Sequence, residues 1–103
     1  MPAPTPDAPA RLLLVRYDYV EDVIERRAPH REAHLQHVAT WTESGELVIA
    51  GAVGNPPSGA VFAFRAEPAD VDHFVAEDPY VAAGLVTAHR VEPWTVVAAR
   101  GLD

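Results

Sequence analysis

Five histidines, at positions 30, 34, 37, 73 and 89, are the side chains of this chain whose ordinary proton affinity lies near neutral pH. Three of them cluster in and just after the stretch Arg27-Ala28-Pro29-His30-Arg31-Glu32-Ala33-His34-Leu35. At 3.6 residues per turn this stretch opens a helix running to about Ser44, with Arg27, Arg31 and His34 on neighbouring faces. His34 falls at the edge of the apolar stripe Leu35, Val38, Trp41. Its imidazole is therefore expected to be half sheltered beside a guanidinium, where it can take up or release a proton near neutral pH. The structural alternative is a partly buried imidazole bonded to a backbone carbonyl. His30, His34 and His37 share a face, a spacing compatible with a transition metal. Glu32 lies on the far side of the helix and adds no ligand, so solvent-facing histidines without a metal are the reading taken.

Asp78 is the second residue with chemistry to offer. On its helix it continues the apolar stripe of Val71, Phe74 and Val75. A sheltered carboxylate at a helix C-terminus loses hydration and opposes the helix dipole, so it needs a partner. His34 would be the functional partner, because a carboxylate on one ring nitrogen fixes the tautomer and raises the basicity of the other. The local alternative is capping, since Asp-Pro is a good N-cap and N1 pair for a turn over Tyr80 to Val86. The two roles are compatible, because a capping carboxylate has a second oxygen. Tyr80, Trp41 and Trp94 read as core aromatics, and Arg27 and Arg31 as solvated or paired with Glu25 or Glu32.

Composition removes many other chemistries. The chain has no cysteine, which excludes disulfides, thiolate nucleophiles and Cys-based zinc sites. All eight basic side chains are arginine, so Schiff-base and phosphate-loop lysines are absent. Ser44 and Ser58, its two serines, sit in no G-x-S-x-G elbow. With a net charge of −7 and no basic stripe, nucleic-acid binding is not expected. No run approaches the ~20 apolar residues of a membrane span. Residues 1–10 carry four prolines and no apolar signal core, and they read as a disordered Pro/Ala-rich arm. The remaining 11–103 form one expected domain, with a cytoplasmic location as the default.

The elements that must position these residues follow from the hydrophobic pattern. Arg11 to Tyr17 is a strand with Leu12 and Leu14 on one side and Leu13, Val15 and Tyr17 on the other, the pattern of a central strand. Val20, Val23, Ile24 and Ala28 recur at helical spacing up to Pro29. The long helix stops near Gly45, and Glu46 to Val53 forms the second strand, where Gly51 allows a bulge or close approach by a ligand. Turn residues 54–59 close a hairpin to a third strand, Ala60 to Ala66. Pro68 starts a helix that Asp78-Pro79 breaks, and a fourth strand spans roughly Arg90 to Arg100, at an edge because of Pro93. The order βαββαβ predicts an α+β, ferredoxin-like fold with a four-stranded antiparallel sheet. Both helices then cover one face, while the other keeps apolar residues exposed, and a homodimer through that open sheet face is expected.

Arg31-Glu32-Ala33-His34-Leu35, Gly45 with Ala50-Gly51, Asp78-Pro79-Tyr80 with Gly84, and Pro93-Trp94 together resemble the YCII-related (YciI-like) family over about Arg11 to Ala99. The resemblance implies a dimeric α/β barrel with a His–Asp pair in a cleft, here His34 and Asp78. Some relatives carry a serine after the hairpin glycine, where this chain has Ala60, leaving Ser58 to supply a hydroxyl if any residue does. One member of the family eliminates chloride from a chlorinated hydroxyhydroquinone. The expected function is accordingly a cofactor-free acid/base enzyme, of lyase or isomerase type, acting on a small anionic or phenolic metabolite. His34 and Asp78 would be catalytic, and Arg27, Arg31, Gly51 and Tyr80 would bind substrate. The alternative is a non-catalytic module that binds a small metabolite in the same cleft, and a purely structural domain would have no ligand-sized cleft beside His34.

Overall fold

A computed structural model describes residues 2–101. Residues 2–9 carry no helix or strand, and Pro4 among them is buried. Strand β1 (Ala10–Tyr19) leads through a short helix α1 (Val23–Arg27) and one 3₁₀ turn (Ala28–His30) into helix α2 (Arg31–Glu43). Strands β2 (Leu47–Val53) and β3 (Gly59–Phe64) form the hairpin. Helix α3 (Pro68–Glu77), a single turn α4 (Pro79–Ala82) and strand β4 (Val86–Val96) complete the chain. The sheet is antiparallel in the order β2-β3-β1-β4, the ferredoxin-like topology that the pattern predicts. β1 is central and β4, with Pro93, is at an edge.

Three features differ from expectation. The helix holding Arg27 and the helix holding His34 are separate, because Pro29 has no amide hydrogen and the 3₁₀ turn stands between them. β4 begins at Val86 rather than Arg90 and ends at Val96 rather than Arg100. Gly84, at φ 75°, ends the α4 turn abruptly, and the chain pairs with Tyr19 from Val86 onward. The irregularity in β2 lies between Leu47 and Ile49, not at Gly51, which pairs in register with Val61. At Gly59 a side chain is impossible for another reason: a Cβ there would collide with the Tyr17 carbonyl of β1.

The core lies between the sheet and α2 and α3. Val15 and Tyr17 of β1, Phe62 and Phe64 of β3, and Val71 and Phe74 of α3 are all buried. Phe74 meets Phe62 and Phe64 edge-on at 5.3 and 5.0 Å between ring centroids. Each fully buried Phe contributes about 1.5–3 kcal/mol through burial alone. α2 seats on this cluster through Trp41, half-buried against Phe64 and Phe74, and through His37. The His37 ring stacks on Phe74 at 4.5 Å, and its Nε2 bonds the Phe74 carbonyl at 2.9 Å. Ile24 and Leu35, read as core-facing, are instead 46% and 49% exposed. The seam of α2 is therefore His34, Val38 and Trp41 with His37 beside them, one residue round from the stripe read from the sequence.

The opposite face of the sheet carries Leu12, Ala63 and Val96, which cluster with Ala10 and Ala99. Beside them Ile49, Val53 and Trp94 remain exposed. Val97, expected to continue the last strand, lies beyond its end and is also exposed.

Candidate active site

Asp78 sits where α3 ends and α4 begins, and it is fully buried. A carboxylate offers only acceptor oxygens, and here three donors meet them. Oδ1 accepts from the Tyr80 amide at 2.9 Å, which is the N-cap bond, and lies 2.8 Å from His34 Nδ1. Oδ2 accepts from the Tyr17 hydroxyl at 2.9 Å. The cap and the contact with His34 therefore occur together, with one difference from the expectation: they share the same oxygen, and the second oxygen goes to Tyr17. The three bonds offset the hydration that a buried carboxylate loses.

This arrangement fixes the tautomer of His34. With Asp78 Oδ1 as acceptor, the Nδ1 position holds a proton and Nε2 is the nitrogen left to a ligand. The ring is buried rather than half sheltered, at 7% exposure, and its partner is a carboxylate rather than a backbone carbonyl. It stacks face to face on Tyr80, with centroids 3.7 Å apart and planes 5° from parallel. Tyr80 thus holds the imidazole plane and presents a π face to any positive charge formed on it.

His34 lines a cleft of about 280 Å³ between α2 and the hairpin. Arg27, Arg31, Tyr80 and Gly51, each expected from the sequence, border the same cleft. Gly51 does so through its backbone: by strand alternation its Cβ direction belongs with Ile49 and Val53 on the other face, where it meets open space. Neither Arg27 nor Arg31 forms a salt bridge among the described residues, whereas Arg26 pairs with Asp22. The opposite wall is small and apolar, made by Ala50, Ala52, Ala60 and Phe62. Ser58 is not part of it, because its hydroxyl donates to the Val53 carbonyl within the hairpin.

Two tyrosines of β1 went unread as site residues. Tyr19 borders the cleft, and burial, with Tyr80 and Asp78 nearby, pushes its hydroxyl pKa up to about 12 although Arg27 and Arg31 pull the other way. Tyr17 stands behind Asp78, and burial followed by the neighbouring carboxylate holds its proton far above the usual phenol range. Their i, i+2 spacing puts both on the helix side of β1, a signal present in the sequence but identical to that of core aromatics. The histidines considered for a metal are engaged separately, His34 by Asp78 and His37 by Phe74. Among the described residues no three metal-ligating side chains converge.

A four-stranded ferredoxin-like domain with a buried His–Asp pair, whose imidazole borders an arginine-flanked cleft, defines the class. The YCII-related domain model matches residues 11–95, and the chain belongs to that family. Among solved structures, the chain is similar to the 5-chloro-2-hydroxyhydroquinone dehydrochlorinase TftG from Burkholderia phenoliruptrix AC1100, in complex with 2,5-dihydroxybenzoquinone. The identity is 23% over 81% of this chain and 92% of that one, with a TM-score of 0.69. It is also similar to NE2512, a protein of unknown function from Nitrosomonas europaea. There the identity is 20% over 89% of this chain and 93% of the other, with a TM-score of 0.55. At such identities both likenesses bear on the fold. No curated protein matches.

Proposed function

We propose that the protein is a cofactor-free acid/base enzyme, of lyase or isomerase type, acting on a small anionic or phenolic molecule. One observation carries this reading: a carboxylate-oriented imidazole and two guanidiniums with no salt bridge among the described residues border one cleft sized for a single-ring molecule. In the elimination, His34 Nε2 takes a proton from the substrate. The electron pair so released closes a new double bond, and the leaving group departs as an anion with its own pair. In an isomerisation the same proton returns to a different atom. Arg27 and Arg31 hold the negative charge that the substrate brings or develops, and the alanine-rich wall accepts its flat apolar part. The dehydrochlorinase and its quinone ligand in a similar fold support a lyase acting on a phenolic ring.

Ligand binding tests the cleft without knowledge of turnover. In a thermal-shift screen of small phenols, quinones, lactones and organic acids, at least one class should raise the melting temperature by mass action. That rise should vanish in the double variant Arg27→Gln/Arg31→Gln. A ligand that stabilises parent and variant equally would remove the arginines from the reading.

We further propose that a second copy of the chain packs on the open sheet face. Ile49, Val53 and Trp94 are 62, 48 and 42% exposed there, and an apolar sheet face left to solvent is unusual for a monomer. Light scattering at tens of micromolar should give twice the 11.1 kDa chain mass, and Ile49→Asp should give the single chain. A monomeric parent would contradict the pairing.

A further inference from the structure

The acid/base reading uses only one oxygen of Asp78, and the bond on the other is unexplained by it. Tyr17 reaches Oδ2 from 61 residues away, out of the central strand. Its ring is 2% exposed and wedged edge-on against Phe62 at 4.7 Å and Tyr19 at 6.3 Å, so the hydroxyl is held in place from behind. Tyr17 does not border the cleft, so it acts on a ligand only through another residue.

We infer that Tyr17 is a positioning residue of the site, whose hydroxyl fixes the rotation of the Asp78 carboxylate and sets how strongly His34 holds its second proton. This rests on the acid/base reading of the His34–Asp78 pair. The geometry gives the reason. Oδ1 is pinned by the Tyr80 amide, and a second anchor on Oδ2 removes the remaining freedom of the carboxylate plane, leaving Oδ1 aimed at Nδ1. The same bond draws negative charge toward Oδ2. A carboxylate so engaged is a weaker partner for an imidazolium than one with a bare oxygen, and the imidazole gives up its proton more readily. Tyr17 remains a neutral donor through the whole range in which a histidine titrates, since its own proton is held so tightly.

The groups facing His34 are few. Asp78 and Tyr80 come from the α3–α4 junction, Tyr17 and Tyr19 from β1, Arg27 from α1 and Arg31 from α2. β2 and β3 add only apolar wall. Of the ionisable neighbours, Tyr17 alone is both bonded to the carboxylate and out of reach of the cleft, so removing its hydroxyl alters the pair without altering the ligand's contacts.

The test is an NMR titration of the His34 ring, its signal assigned by its loss in His34→Gln. In Tyr17→Phe the midpoint should rise by about one pH unit, the scale of one charge-assisted hydrogen bond partly transmitted to the ring. A single fluorine placed on the ring of Tyr17 by site-specific incorporation makes the hydroxyl a stronger donor and should move the midpoint down. This second protein keeps the bond, so it remains informative if Tyr17→Phe does not fold. An unchanged midpoint in either folded protein, with only a lower melting temperature, would make Tyr17 a packing residue and overturn the inference. The readout needs no turnover, so failure here is distinguishable from failure of the catalytic assignment of His34.

Discussion

Replacing His34 with glutamine should lower turnover by about 10²–10⁴-fold, the usual contribution of a positioned acid/base group. The melting temperature should stay within a few degrees of the parent. Glutamine is the informative substitution because of where His34 sits. An alanine would leave a void beside Tyr80 and take away the Nδ1 donor, confusing lost chemistry with lost packing. The glutamine amide can still donate to Asp78 Oδ1 and fill most of the volume, but it cannot carry a proton at neutral pH. Once a substrate is found, kcat should fall more than KM rises, since the arginines proposed to hold the substrate are untouched. Full activity in His34→Gln would remove the imidazole from the mechanism. The measurement is steady-state kinetics alongside a melting curve.

Asp78 carries the second large effect, and it divides into two variants. Asp78→Ala leaves the Tyr17 hydroxyl, His34 Nδ1 and the Tyr80 amide without their acceptor in a fully buried place. Each stranded donor costs about 1–3 kcal/mol, and breaking a buried charged network typically costs 3–5 kcal/mol. For a chain of this size that is a fall of roughly 15 °C or more in melting temperature. Asp78→Asn is milder for the fold. Its carbonyl can take over both bonds of Oδ1, and its amide can donate to the Tyr17 oxygen, so the expected loss is about 1–2 kcal/mol. It nevertheless removes the negative charge that supports an imidazolium, so turnover should fall with the fold intact. If Asp78→Ala melts within a few degrees of the parent, the three-donor network is not holding this corner together.

The fold was largely legible because its instructions are local. The two-sided apolar run at Arg11 to Tyr17 marks a central strand, Pro93 marks an edge, and Pro68 and Asp78-Pro79 bracket a helix. None of these requires knowledge of a distant residue. The boundaries of β4 were less legible because they depend on its partner: Val86 to Arg90 are strand because β1 lies alongside as far as Tyr19. The site divides along the same line. A histidine on a helix seam and a carboxylate at an Asp-Pro break are each conspicuous, since each would be costly without a partner. Tyr17 raises no such flag. A tyrosine on the buried side of a strand is ordinary core, and only the fold shows its hydroxyl meeting Asp78. Leu35 misled for the converse reason, since periodicity marks an apolar stripe but does not show that one edge of it faces a cleft.

His34 Nε2 is proposed as the atom that a small molecule meets. The most direct measurement is a crystal structure of the protein with a ligand identified by the thermal-shift screen. It should show a ligand oxygen within about 2.6–3.2 Å of Nε2, or one water away, or an acidic carbon about 3–3.5 Å from it. An anionic group should lie on Arg27 or Arg31, and Nδ1 should still be bonded to Asp78. A ligand seated elsewhere on the protein, or one in the cleft that leaves Nε2 untouched, would contradict that role.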